Sequence, residues 1–502
     1  MSSYSAHARR RRGRWAPRLL VVAALAVGML ATAGVANAKP GFAGPSFVGA
    51  SQTLTASGEP TGFKPESKAW YHDGRWWAVL WDNKAGDYHI FWLDTVTKKW
   101  VDTNTKADTR RTSRVDVLSE GGRLFVASHI RTGTSGAGPS RLYRYSYSMK
   151  KRKYGLNRGF PHQINGGPKS ETLVIDKDSS GRLWATWTEP TGGGRDVRVA
   201  HSDNNGVSWT TLPALETGLG GDAISSLVAF GNGDVGVMWN NGSFRFMYHE
   251  GGTAPNVWVA DHPGLNPADD HINLKAAGDR VYAAVKREGF SSPQLVLLVR
   301  NPGGGWEQSN VSRATDKLSR PIVLLFNSQV HVYANGPGVG TIFKKTISRS
   351  AANNGNDFGV GRGTPYIREG ANSRLVDATS TKQNLNTKMG IVVLASSKSS
   401  DRYWANMNRP RNVIRGSNGN NRINGTRGDD VILGRGGRDR LNGGLGNDII
   451  VGGGGKDTLL GGGGRDVLKA KDGQRDVLKG GPGRDRAQRD RKDVVRSIES
   501  FF

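Results

Sequence analysis

The 502-residue chain has no cysteine, so no disulfide braces any part of it. Its most apolar run, LLVVAALAVGML at residues 19–30, falls short of the roughly 20 residues a bilayer-spanning helix needs. The ten histidines show no H-E-x-x-H or related zinc spacing, and no G-x-S-x-G nucleophile turn occurs. Between residues 45 and 410 helical periodicity is almost missing. These absences set aside a disulfide scaffold, a helical membrane anchor, a zincin and an α/β-hydrolase. The single G-x-G-x-x-G match, GNGDVG at 231–236, has no helix after it and reads as a hairpin turn instead of a nucleotide loop. Asp269-Asp270-His271 is polar and clustered, and reads as a turn ahead of a strand.

Two things are abundant: glycine, with 70 residues, and positive charge, with a formal net of +27. Residues 1–38 read as a bacterial-type signal peptide. ARRRRGRW (8–15) is the charged region, the short apolar run follows, and Ala36-Asn37-Ala38 is a small-x-small cleavage site. Sec and twin-arginine export both stay open. Removing the six arginines of this segment leaves +21. A secreted or cell-surface protein of that charge attracts polyanions such as acidic glycans, cell-wall polymers or nucleic acid.

Most of the glycine surplus sits in a nine-residue repeat. The units are GSNGNNRIN (416–424), GTRGDDVIL, GRGGRDRLN, GGLGNDIIV, GGGGKDTLL and GGGGRDVLK (461–469). AKDGQRDVLK (470–479) then slips by one residue, and GGPGRDRAQ (480–488) restores the frame. The sixth position carries Asn421, Asp430, Asp439, Asp448, Asp457, Asp466 and Asp485, and the eighth carries Ile423, Ile432, Leu441, Ile450, Leu459 and Leu468. One aliphatic per short strand is a thin core, too thin to offset the cost of ordering so much glycine. Stacked carboxylates would also repel. A hard divalent cation with oxygen ligands removes the repulsion and adds the missing free energy.

This pattern resembles the hemolysin-type (RTX) calcium-binding repeat, GGxGxDxUx, a parallel β-roll. The resemblance implies two repeats per coil, aspartates eighteen apart sharing an edge, and Ca2+ held between turns by Asn421, Asp430, Asp439, Asp448, Asp457, Asp466 and Asp485 with glycine-turn carbonyls. The slip puts Arg475 where an aspartate belongs, so the ladder is expected to weaken there. DVVRSIESFF at the end resembles a closing cap. Residues 411–502 depart from the usual acidic character of such tracts, with 19 Lys+Arg against 12 Asp+Glu. Arg438, Lys456, Arg465 and Arg484 stand directly before ladder aspartates and weaken the attraction for calcium.

Upstream, seven strands begin at turns: GRWWAVLW (74–81), GRLFVASH (122–129), GRLWATWT (181–188), GDVGVMWN (233–240), GDRVYAAV (278–285), NSQVHVYA (327–334) and GIVVLASS (390–397). Their starts lie 45 to 63 residues apart, and units of this length with three or four strands indicate propeller blades, seven visible and six to eight open. Tryptophans recur after the third strand, at Trp100, Trp209, Trp258 and Trp306. SDNNGVSW (202–209) resembles the Asp-box of sialidase-like propellers, with Asn204 and Ser208 substituting for its Asp and Thr. The blade starts align Lys68, Arg114, Glu171, Ser226, Asn273, Arg320 and Arg374 toward the axis, which suits a carboxylate or sulfate ligand or a merely wet tunnel. The sialidase resemblance would imply an arginine triad, which Arg114, Arg320 and Arg374 could imitate, but neither its F/Y-R-I-P motif nor a Tyr–Glu pair is found. No catalytic residue is assigned.

The sequence therefore predicts an all-β chain: signal peptide (1–38), sialidase-like β-propeller (39–410) and calcium-binding β-roll with a cap (411–502). Its function is expected to be calcium binding by the roll and recognition of an anionic or glycan ligand by the propeller. A sialidase-like glycoside hydrolase and a cationic polyanion- or nucleic-acid-binding protein are the alternatives.

Overall fold

The computed structural model describes residues 47–51, 65–82, 85–95, 99–133, 138–165, 169–289, 292–336, 340–369, 375–397, 402–408, 412–426 and 428–502. The signal-peptide expectation at 1–38 lies outside them.

Seven antiparallel blades make a propeller. The seven strands singled out by their leading turns are each the second strand of a blade: Arg75–Asp82, Arg123–Ile130, Leu183–Thr191, Asp234–Asn241, Arg280–Arg287, Gln329–Gly336 and Ile391–Ser397. Alternation on these strands puts aliphatics and aromatics between sheets. Trp77, Val79, Phe125, Trp184, Val237, Ala283, Val332 and Val393 are all buried. The ring closes through residues far apart in the chain. Phe47–Ser51 adds as the outer strand of the last blade, antiparallel to Arg402–Asn408, so that blade is built from both ends of the propeller sequence.

Two devices join neighbouring blades. The tryptophans that open the outer strands lean on the preceding blade. Trp258 meets Trp184 edge-on at 5.9 Å between centroids, and Trp306 meets Phe246 at 5.0 Å. On the inner strands, side-chain oxygens accept backbone N–H groups of adjacent blades. Asp116 takes Ser67 N and Ile175 N, Asp176 takes Ala229 N, and Asn273 takes Val323 N. These bonds satisfy donors that no blade can satisfy within itself.

In the Asp-box hairpin, Asn204 Oδ1 accepts Ser208 N at 2.9 Å, the acceptor role an aspartate would fill. Ser202 Oγ accepts Gly206 N, and Gly206 has φ +83°, which closes the turn. GNGDVG is a hairpin between Ser225–Phe230 and Asp234–Asn241. Asp269-Asp270-His271 differs from expectation. It belongs to the inner strand Ala268–Ala277, where a bulge between Ala268 and Ile272 accommodates it.

Beyond residue 411 the chain is a parallel β-solenoid of about five turns. Six strands from Asn412–Arg415 to Ser500–Phe501 form one sheet, and five from Arg422–Asn424 to Val494–Arg496 form the other. Registers pair residues eighteen apart, such as Ile432 with Ile450 and Leu441 with Leu459. The inner column Ile432, Leu441, Ile450, Leu459, Leu468, Leu478 and Ala487 is fully buried. Glycine is needed where turns stack: a Cβ at Gly453 (φ +100°) would collide with the Arg435 carbonyl oxygen. Arg435 breaks the rule itself, holding φ +80° in register with Gly453. Arg435→Gly should therefore stabilise the solenoid by about 1 kcal/mol. Thermal melts of both proteins in saturating calcium would read this, and an unchanged or lower midpoint would refute the strain.

Candidate functional site

The ladder aspartates stand in two stacks, one on each edge of the solenoid. On one edge Asp430 N donates to Asp448 Oδ1, Asp448 N to Asp466 Oδ1 and Asp466 N to Asp485 Oδ1, each at 2.8 Å. On the other, Asn421 N donates to Asp439 Oδ1 at 2.7 Å, Asp439 N to Asp457 Oδ1 at 2.8 Å and Asp457 N to Asp476 Oδ1 at 2.7 Å. The expected weakening at the slip does not occur. The extra residue is taken up in the exposed turn 471–475, which returns Val477–Lys479 to register with Thr458–Leu460 and puts Asp476 in the ladder in place of Arg475. Asp493 and Glu499 close the two stacks by accepting Asp476 N and Asp485 N. The D-V-V-R run at 493–496 repeats the Asp-x-aliphatic pattern and could have revealed Asp493. Glu499, a longer residue outside the frame, left no such signal.

Each aspartate from Asp430 to Asp485 in these stacks is at most 2 % exposed. One oxygen of each is committed to a backbone N–H, and the other is buried with no hydrogen-bond partner: Oδ1 of Asp430, and Oδ2 of Asp439, Asp448, Asp457, Asp466, Asp476 and Asp485. The open oxygens face more acceptors. A methyl group built on Gly443 would collide with both Asp448 Oδ2 and the Gly461 carbonyl oxygen. The same holds at Gly434 for Asp439 Oδ2 and the Gly452 carbonyl, and at Gly480 for Asp485 Oδ2 and the Ser497 carbonyl. A buried pocket of oxygens without a donor is costly unless a cation or a proton enters it. Burial pushes the carboxyls up accordingly, Asp448 to about 8, Asp476 to about 7 and Asp466 to about 6, while Asp457 and Asp485 are also raised. The residues fit a hard divalent cation with oxygen ligands.

The axial set is placed differently from a convergent anion site. Lys68 is fully buried, with Nζ donating to the Val115 carbonyl and 3.4 Å from Glu66. Arg114 is 2 % exposed and lies in the field of the same Glu66. Glu171 accepts Thr132 Oγ1 and is 3.6 Å from Arg131. Arg320 pairs with Asp377. Arg374 lies outside the described residues. Ser226 and Asn273 are buried, the latter bonded to Val323 N of the next blade. The groups that do meet on the axis are two rungs deeper: Asp116 lies 3.0 Å from Lys382, and Lys275 donates to the Thr381 carbonyl. Burial first, then Lys382, push Lys275 down to about 7. Elsewhere, His271 Nδ1 contacts Asp269 and lies 2.9 Å from Asp270, with Lys286 on Asp269.

The sequence model of the RTX calcium-binding nonapeptide repeat, in four copies, matches residues 411–441 and 433–468. No curated protein matches the chain. Among solved structures, a PL25 ulvan lyase bound to -[GlcA(1-4)Rha3S]- aligns at 12% identity and TM-score 0.44 over 71% of this chain and 96% of that one. An Aleuria aurantia lectin variant with α-methyl-L-fucoside aligns at 11% identity and TM-score 0.39, covering 59% and 93%. Trypanosoma rangeli sialidase aligns at 14% identity and TM-score 0.37, covering 68% and 54%. At these values the likenesses assign no ligand and no reaction. No helix among the described residues is long and apolar enough to cross a membrane.

Proposed function

We infer, from a C-terminal region made of RTX calcium-binding repeats, that this chain is an exported protein whose solenoid takes up calcium as it folds and then holds the propeller where anionic or glycan ligands are met. Asp430, Asp439, Asp448, Asp457, Asp466 and Asp485 would hold the ion, joined by Asp476, with Asn421 ending one stack. The observation that carries this reading is the row of buried carboxylate oxygens facing backbone carbonyls with no donor between them. Calcium supplies there the positive charge that the protein omits, and the N–H bonds along each stack orient the carboxylates to receive it.

Calorimetric titration of the full chain with calcium, with magnesium as control, tests it. Several sites per molecule and a rise in β-signal with calcium are expected. Absence of calcium uptake would overturn the reading. The signal peptide and the propeller's ligand rest on the sequence. Binding to a glycan panel at low and high salt would separate a saccharide-specific face, whose binding survives salt, from bulk charge attraction.

A further inference from the structure

The two edges of the solenoid carry different outer residues. On the Asp430 edge, the positions before the ladder aspartates are Asp429, Asn447, Arg465 and Arg484, and the first three line a cleft with Tyr71, Trp76 and Trp92 of the first blade. On the other edge the corresponding positions are Arg438, Lys456, Arg475 and Lys492, directly before Asp439, Asp457, Asp476 and Asp493. The backbone bonds between those aspartates make them consecutive rungs. All four cations are exposed, and none of them lines that cleft.

Among the described residues no carboxylate lies within ion-pair distance of these four side chains; only Lys492 has a polar contact, with the Gly473 carbonyl at 3.2 Å. The nearby acids are otherwise engaged. Asp472 accepts Gly455 N and Gln474 N, and Asp490 accepts Asp472 N and Gly473 N. The result is a single file of cations, one per strand, at the ~4.8 Å spacing that a β-ladder imposes.

We propose that the Arg438–Lys456–Arg475–Lys492 edge is a binding row for a linear anionic polysaccharide, and that calcium arms it. A polyuronate or sulfated glycan carries about one charge per sugar, a spacing of the same order as the rungs, so its anions can meet successive cations without bending. Single-stranded nucleic acid would gain from exposed aromatics on which bases stack. The exposed Phe501 and Phe502 already lie under the guanidinium groups of Arg489 and Arg486, at 4.7 and 4.8 Å. The coupling follows from the layout. The cations form one file only on the folded solenoid, and calcium bound beside each rung adds positive charge beneath the polymer, so calcium and polymer strengthen each other's binding. This part rests on the calcium reading above.

The test uses the full chain and fluorescent dextran sulfate, measured by anisotropy with calcium, with magnesium and with chelator, beside neutral dextran and duplex DNA. A variant carrying Arg438→Gln, Lys456→Gln, Arg475→Gln and Lys492→Gln is compared with one that removes four exposed propeller cations, Lys150→Gln, Lys151→Gln, Lys153→Gln and Arg158→Gln. Circular dichroism in calcium checks that both are folded. The edge variant should lose at least tenfold in dextran sulfate affinity in calcium and show a flatter salt dependence, with the propeller variant changed less than about threefold. Wild-type affinity should fall at least fivefold in chelator. Equal losses in both variants, or none in the edge variant, overturn the row. A larger loss for DNA than for dextran sulfate overturns the polysaccharide assignment in favour of nucleic acid. Calcium uptake by calorimetry without any calcium effect on polymer binding overturns the coupling alone, whereas no calcium uptake overturns the function reading itself.

Discussion

Withdrawing calcium from the full chain should cost the solenoid its β-signal while leaving the propeller's aromatic signal in place, and Asp448→Asn should recover part of that loss. Asp448 Oδ1 accepts the Asp430 N–H, and Asn keeps that oxygen. Its amide nitrogen replaces Oδ2, the buried atom that faces the Gly461 carbonyl without a donor. The substitution thus supplies the missing donor. It removes a buried unsatisfied acceptor, a term of about 1–3 kcal/mol, and a carboxyl that burial pushes up to about 8. The same change removes a calcium ligand and a negative charge, so calcium affinity of the adjoining sites should fall at least tenfold. Asp448→Ala removes both oxygens, orphans the Asp430 N–H, and should destabilise the solenoid with and without calcium. Chelator-dependent melts and calorimetry on the three proteins separate these outcomes. If Asn and Ala behave alike without calcium, the open oxygen does not face an acceptor as described.

What was legible follows from distance along the chain. The solenoid repeats a contact eighteen residues away, so its period, its core column Ile432 to Leu468 and its acidic stacks are written into any two consecutive turns. The blades were equally plain, because each is a local antiparallel meander punctuated by glycine. Frame arithmetic misled at Arg475. A turn can take up one residue without disturbing the rung, and only the structure shows that the exposed loop 471–475 does so and delivers Asp476. Closure of the ring by Phe47–Ser51 against Arg402–Asn408 left no signal, since it joins residues about as far apart as the propeller allows. The partners of the axial set were less legible for a related reason. Aligning strand starts finds residues at one height but does not tell whether a charge faces the tunnel or a buried partner. Glu66, which lies outside every aligned strand, decides that for Lys68 and Arg114.

The two halves of the molecule handle charge in opposite ways. The propeller sets its buried carboxylates beside cations: Glu66 with Lys68 and His129, Asp108 with Arg110, Asp116 with Lys382. The solenoid buries carboxylates without cations while holding its own lysines and arginines at the surface. An internal pair completes a fold on synthesis. An unpaired acidic column makes folding conditional on a cation from outside the chain.

Glu66→Gln should lower the stability of the propeller by about 3–5 kcal/mol, enough to shift its melting midpoint by several degrees. Glu66 is 2 % exposed, with Oε1 2.7 Å from His129 Nε2 and Oε2 3.4 Å from Lys68 Nζ, while its carbonyl accepts Thr379 Oγ1. Its carboxylate therefore ties the first and second blades, and its backbone carbonyl holds the last. Burial acts to raise its pKa, but Lys68, His129 and Arg114 outweigh it and hold the carboxyl below its ordinary value. A depressed acid contributes stability that is fully present above the unfolded value near 4.5 and is lost as pH falls through the folded one. Wild type should accordingly show an acid limb that Glu66→Gln flattens. The cost of the substitution at neutral pH is bounded by Lys68, whose own pKa burial lowers: without Glu66 it can shed its proton instead of remaining an uncompensated buried cation. Hence Glu66→Gln combined with Lys68→Met should be more stable than Glu66→Gln alone, because the second change removes the orphaned cation and adds apolar packing. Melts of the three proteins from pH 2 to 8 decide the matter. A single substitution that leaves the midpoint and the acid limb as in wild type would mean that the buried cluster does not hold the blades together.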